Sequence, residues 1–539
     1  MRRKITLLTR FIHAHVFQGD GDFCDSFVID NGRFVLTGSE EETLKAYPQA
    51  STVDLGGRFV CPGFNDSHMH LLGLGGMLGM AQLANATDSL AHMLAALREF
   101  ADTHPDEPFV LGRGWNQDFF NDCNRFPTRE DLDRICPDRP CLITRACGHI
   151  AVVNSAALSL AGIADAPVAI EGGLVETDSS GRPTGVLSEN AISLAASLIP
   201  RPSRETIKRR LVLAMDFVNR MGITSVQTDD FSTLDVPFEE IIAAYLELKA
   251  EGKMTVRVTQ QCLLPDLSTL NRFLQAGYRT GWGDEWFRLG PLKLLADGSL
   301  GARTALLRTP YADAPDTRGI AIYTQNALNA LVLQAHQAGM QIAIHAIGDA
   351  AADMTLNAFE QAQLACPRSD TRHGIVHAQI LNHEQATRMK TLGLHAYIQS
   401  IFLDYDTQIV HARIGERADE AYPAASLLDL GVTLSNGSDS PVELPNVLGG
   451  IQCAVTRRPF TRPFDCAYLP HEALTLTQAL ASFTSGGAYA SFEEAEKGLI
   501  RKGQRADFTV LQIDPFKTDP QWLHSIKVFA VYLNGRPVI

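Results

Sequence analysis

With 539 residues the chain is too long for one ordinary domain. Hydrophobic residues at 45% and charged residues at 20% describe a soluble globular protein and exclude a disordered or fibrous one. A formal net charge of −14 argues against nucleic acid as a partner, because a nucleic-acid face needs a basic stripe to displace counterions.

The predicted elements begin with short β-rich pieces at residues 5–8, 26–29 and 33–37, punctuated by Gly and Asn-Gly turns. The same texture returns after Gly498, at residues 507–511 and 528–533, so the two ends are expected to pair. An apolar run through residues 56–60 leads to Cys61-Pro-Gly-Phe-Asn-Asp-Ser-His-Met-His70. In an extended chain residues i and i+2 share a face, so His68 and His70 can present both imidazoles to one metal ion.

The next barrel-type strand, residues 222–227, comes on the order of 150 residues later, whereas loops in compact domains are short. A folded insertion is therefore expected between them. Its pieces are a helix near residues 89–100, strands at 109–111 and 141–144, and strand-turn segments over 174–187. Leaving the chain after strand one, such an α+β subdomain would roof the mouth of the barrel.

Further strands are predicted at residues 255–264, 292–295, 341–345, 374–378, 394–399 and 432–436. Helices with apolar residues at spacings of three and four, such as 204–221 and 327–338, fill the gaps. Strand and helix in alternation predict a parallel (β/α)8 barrel, an α/β fold. Lys293, His345, His377 and Asp439 lie within or at the carboxyl ends of these runs, where such a barrel gathers its chemistry.

Ten cysteines without a Cys-x-x-Cys pair lack the usual sign of a zinc ribbon or redox motif and fit a reducing compartment. The basic opening Met1-Arg2-Arg3-Lys4 is followed by too short an apolar core for a signal peptide. No stretch approaches the roughly 20 apolar residues of a membrane span. The expected location is cytoplasmic, without a membrane partner.

The order His-x-His, Lys, His, His, Asp at His68, His70, Lys293, His345, His377 and Asp439 resembles the amidohydrolase superfamily. Residues 112–117, 148–149, 153–155, 185–187, 296–301, 344–349 and 437–442 are similar to the branch of YtcJ-type and N-substituted formamide deformylase proteins (amidohydrolase family 3). That resemblance implies a TIM barrel over residues 59–80 and 200–494. It also implies a small β-sandwich from residues 1–58 and 495–539, leaving 81–199 as the insertion. It implies two metal ions, one held by His68, His70 and Asp439 and one by His345 and His377, bridged by a carboxylated Lys293. Neutral imidazoles and carboxylates favour zinc, with manganese or iron as substitutes. A lysine paired with Asp297 or Asp439, and a single-metal site of His68, His70, His345 and Asp439, are the alternatives.

The expected activity is hydrolysis of a non-peptide C–N bond in a small amide or formamide through a metal-activated hydroxide, with Asp439 moving the proton. Metal-dependent deamination of an amidine-like ring is the rival, and a catalytically silent binding or regulatory member of the fold is a third reading. Trp115 and His149 in the insertion, and Arg303 after the lysine strand, are expected at the substrate. Asp66 and Asp297 are expected to orient ligands. The pair His13 and His15 and the lone His373 receive structural roles, and a homodimer is plausible. Gln227-Thr228-Asp229-Asp230 and Phe119-Phe120 depart from the branch's pattern and bear on substrate identity.

Overall fold

The computed structural model describes residues 8–199 and 201–539, so most of the strand expected at 5–8 lies outside the described residues. The chain divides into two compact units, Met1–Gly73 with Ala214–Ile539, and Leu74–Leu213.

In the first unit eight parallel strands follow one another around a barrel: Phe64–Met69, Ile223–Thr228, Arg257–Leu263, Phe287–Leu295, Ile342–Ala346, Gly374–His377, His395–Ile398 and Thr433–Asn436. Nearly every residue in them is buried, which is why the sequence shows continuous apolar runs instead of alternation. The fourth strand begins at Phe287, five residues before the expected start, because Arg288 and Gly290 interrupt its apolar pattern. Connecting helices start on side-chain caps: Asp266 accepts from Thr269 N, Thr324 from Ala327 N, and Asn382 from Gln385 N.

The first and last strands meet through specific bonds. Asp439 N donates to His68 O (2.8 Å) and His70 N to Ser440 O (2.7 Å). The buried Asp66 carboxylate accepts from Ser438 N (3.0 Å) and Ser438 Oγ (2.5 Å). A Cβ at Gly437 would lie 2.6 Å from His68 N and 2.8 Å from Asp66 Oδ1, so only glycine allows this approach.

Both chain ends build a single eight-stranded sheet. Its central strand, Ser51–Pro62, runs parallel to Thr9–Phe17 and antiparallel to Phe508–Leu511. Phe11, Phe27, Phe34 and Phe508 meet ring to ring in the buried core that this sheet covers. Ser51–Pro62 is followed, after Gly63 alone, by the first barrel strand. Arg257 of the third barrel strand forms a buried two-pronged ion pair with Asp507 (2.6 and 3.1 Å), fixing barrel to sheet.

The second unit holds a six-stranded sheet in the order Gly173–Thr177, Pro183–Glu189, Ile150–Val153, Cys141–Arg145, Val110–Trp115, Ala81–Gln82. Its helix Leu90–Thr103, capped by Ser89, contributes Met93 and Leu97 to a core shared with Val110, Ile143 and Trp115. No helix of the described residues is long and apolar enough to cross a membrane.

Candidate metal centre

The barrel brings the six expected ligands to one end of its strands. His68 Nε2 and His70 Nε2 stand 3.3 and 3.2 Å from Asp439 Oδ1. These three side chains form the one group of three or more such residues, among those described, whose ligand atoms lie close enough to share an ion. His377 Nε2 lies 2.9 Å from His345 Nδ1. The two groups adjoin, with the His68 and His377 rings 5.6 Å apart.

The hydrogen bonds behind these imidazoles decide what their inward atoms can do. His70 Nδ1 faces the backbone carbonyl of Asp229 (2.7 Å) and His345 Nε2 that of Gly298 (3.0 Å), so both must donate there. His68 Nδ1 faces Gln261 Oε1 and His377 Nδ1 faces Gln399 Oε1, each at 2.7 Å. The orientation of both amides follows from their nitrogens, which donate to Ser67 O and Tyr397 O. In the neutral rings the remaining nitrogen of every histidine is therefore a bare lone pair. Two such pairs converge on a carboxylate oxygen, and two face each other. Each arrangement repels unless a cation or an extra proton lies between, and carbonyl-oriented imidazoles are the usual metal-ligating kind. The residues present thus fit divalent cations.

Protonation in the metal-free protein follows the same contacts. Burial lowers the basicity of His70, but the Asp439 hydrogen bond and the charges of Asp229 and Asp439 outweigh it and raise the pKa to about 9. Burial takes His68 down to about 4. Burial also pushes the Asp439 carboxyl up, yet its contacts with His68 and His70 hold it well below the usual carboxylate range. His377 (φ 75°) and Asp439 (φ 58°) are both left-handed, a strain that persists where surroundings over-determine the backbone.

Lys293 is 1% exposed, and burial lowers its pKa against the opposing pull of Asp229 and Asp439. Its charge depresses the basicity of His68, His70 and His377 alike, so it stands near members of both groups. The Asp229 carboxylate is 4.0 Å from its Nζ.

Asp297 contacts His345 Nε2 at 3.4 Å, but its carboxylate mainly accepts from the backbone of Leu306, Ile347 and Gly348. Asp66 touches the backbone of His68 (3.3 Å), not its ring, and burial pushes its pKa to about 7. Arg303, expected to bind an anion, is instead held in a fork on Asp313 (3.0 and 2.9 Å). Trp115, expected to close over substrate, is fully buried in the core of the second unit, where apolar neighbours and Phe126 pack its ring. His149, in the same unit, is exposed and bonds Glu189 at 2.9 Å. His373 belongs to a closed structural chain, accepting from Ile342 N and meeting His336 at 2.8 Å.

Gln261 and Gln399 went unnoticed in the sequence, and Asp229 was singled out there only for substrate identity. The signal for the two glutamines was available: each stands near the carboxyl end of a barrel strand, the rule that found the ligands.

The comparisons with known proteins agree with this geometry. The sequence pattern of the Amidohydrolase family matches residues 51–539. The chain is 34% identical to YtcJ of Bacillus subtilis (strain 168), over 96% of each protein. It is 28% identical to the N-substituted formamide deformylase of Arthrobacter pascens, covering 94% of this chain and 93% of that one. The crystal structure of an uncharacterized metal-dependent hydrolase from Pyrococcus furiosus superposes with a TM-score of 0.78 at 29% identity, covering 95% of this chain and 100% of the other. Matched over nearly its whole length, this chain belongs to the amidohydrolase family.

Proposed function

We propose that the chain hydrolyses a non-peptide carbon–nitrogen bond in a small amide or formamide. The observation that supports this reading best is the set of four inward-aimed ring nitrogens left as lone pairs in the neutral imidazoles by the outer hydrogen bonds. His68, His70 and Asp439 would hold one divalent cation, His345 and His377 a second, and Lys293, carboxylated, would lie between them. Zinc suits this donor set best, with Mn2+ or Fe2+ as substitutes. Bound there, such a cation supplies Lewis acidity toward a carbonyl oxygen and lowers the pKa of water from 15.7 to about 7.

The protein's part is proton transfer and orientation. Asp439 is ionised at neutral pH because His68 and His70 face its Oδ1, so it can accept a proton from an attacking water. The same carboxyl, then protonated, returns that proton to the departing amine nitrogen, without which the amine is too poor a leaving group. Gln261, Gln399 and the carbonyls of Asp229 and Gly298 fix the four rings throughout. Resemblance to a formamide deformylase supports a formyl or short acyl group on the nitrogen. Burial of Lys293 favours the neutral amine that carboxylation requires.

Metal content per chain, with turnover on a panel of N-formyl and N-acyl amines, tests the proposal. Asp439→Asn should fold normally and lose turnover. Near-normal turnover in that variant, or a protein as purified that lacks metal yet is active, would overturn it. Carbon-13 NMR after exchange with labelled bicarbonate reads the carbamate on Lys293 directly.

A further inference from the structure

Two of the ten cysteines stand against each other in the second unit. Cys136 lies just past the helix Arg129–Asp133 and Cys141 opens the strand Cys141–Arg145, with Pro137, Asp138, Arg139 and Pro140 between them. Both side chains, 3% and 0% exposed, belong to one apolar core with Leu97, Val110 and Leu132. A single amide grips both backbones. Asn154 Nδ2 donates to Cys136 O (2.7 Å), and Asn154 Oδ1 accepts from Cys141 N (3.0 Å). The thiols themselves hydrogen-bond, Cys141 donating to Cys136.

The turn between them is pinned as well. Arg139 donates to Ala101 O (2.6 Å) and His104 O (2.7 Å) at the end of the helix Leu90–Thr103, and Asn154 Nδ2 also donates to Arg139 O (2.8 Å). Pro137 and Asp138 are exposed, so the sulfur pair lies directly beneath the surface. A disulfide needs neighbouring backbones and converging side chains. The shared amide and the thiol contact meet both needs without a rearrangement of the core.

We infer that Cys136 and Cys141 form a site of reversible thiol oxidation, closing an intramolecular disulfide when hydrogen peroxide reaches the second unit. The site is independent of the hydrolytic reading above. The hydrogen bond from Cys141, helped by the charge of Arg139, lowers the pKa of Cys136 against the effect of burial, so Cys136 is the attacking sulfur. It takes one oxygen from the peroxide as the O–O bond breaks, leaving a sulfenic acid and releasing water. The Cys141 sulfur then attacks that sulfur, the S–O bond breaks, and a second water departs. Two thiols lose two electrons and two protons, and the peroxide takes up both. Exchange with a reduced thiol such as glutathione reverses the bond. While closed, it fastens the end of Arg129–Asp133 to the start of Cys141–Arg145 and restricts the unfolded chain.

The test treats the full-length, pre-reduced protein with graded hydrogen peroxide, blocks remaining thiols with N-ethylmaleimide under denaturing conditions, and maps tryptic peptides by mass. Residues 135–145 are expected as one peptide, because Pro140 protects the bond after Arg139. After oxidation that peptide should carry no maleimide and weigh about 2 Da less than its reduced form, and dithiothreitol should restore both labels. The exposed Cys147 and Cys466 serve as the internal standard. Full labelling of Cys136 and Cys141 at a peroxide dose that oxidises those two overturns the inference. A cross-link from either residue to any other cysteine overturns it too. These outcomes need the wild type alone. In Cys141→Ser the sulfenic acid on Cys136 should persist and be trapped by dimedone, and an adduct found on Cys141 of Cys136→Ser instead would reverse the order of attack.

Discussion

Replacing Gln399 with leucine should weaken one metal ion and leave the other alone. In the native protein Gln399 Oε1 accepts the Nδ1 proton of His377 at 2.7 Å and so keeps Nε2 bare. Without that acceptor a buried imidazole N–H would be unsatisfied, a penalty of about 1–3 kcal/mol. The ring can escape it by moving the proton to Nε2, which stands 2.9 Å from His345 Nδ1 and would donate to it. A cation must then break that new bond and reverse the tautomer. The loss is on the order of 10- to 100-fold in affinity, the usual effect of removing such an outer partner and equal to about 1.4–2.7 kcal/mol. Gln261→Leu should act in the same way on the ion at His68 and His70. Competition with a chromogenic chelator resolves the two stoichiometric steps, and nitrogen-15 shifts of the imidazoles report the tautomer. Unchanged affinity in Gln399→Leu, with Nδ1 of His377 still protonated, would refute the reasoning.

Two further outcomes follow from the same contacts. The folded pKa of His70, about 9, lies above its ordinary 6.5. Its contribution to the stability of the metal-free protein is therefore complete below about pH 6.5 and lost as pH rises through about 9. A cation displaces that proton, so metal affinity should climb up to about pH 9 and level off above it; chelator competition across that range that gave a flat line would contradict the assignment. Gly437→Ala would force a methyl group to within 2.6 Å of His68 N, and overpacking of this kind costs about 1–3 kcal/mol. Denaturant unfolding should show the loss together with weaker metal retention, and full stability would mean that barrel closure tolerates a wider gap.

Much of the barrel was legible because a strand covered on both sides must be apolar throughout, and a ligand must end it. Residues 341–345 and 374–378 satisfy both conditions, and the observed strands Ile342–Ala346 and Gly374–His377 lie within one residue of them. The start of Phe287–Leu295 was hidden by Arg288 and Gly290, whose place in a strand depends on neighbours distant in sequence. Trp115 carried a motif suited to substrate contact, but its indole is packed in a local core, and a motif does not state which way a ring faces. Arg303 shows the same limit, since only three-dimensional structure reveals that Asp313 neutralises it.

The single residue between Ser51–Pro62 and Phe64–Met69 has a mechanical consequence. The terminal sheet runs almost directly into the strand that leads to His68 and His70, and it is laced to Phe508–Leu511 at the end nearest the barrel and braced by Arg257 against Asp507. Trimming the tail of the chain would therefore loosen the mounting of a chelate several hundred positions upstream. The two extremities act as the frame in which the histidine pair is set, and a transplanted barrel would have to bring that frame with it.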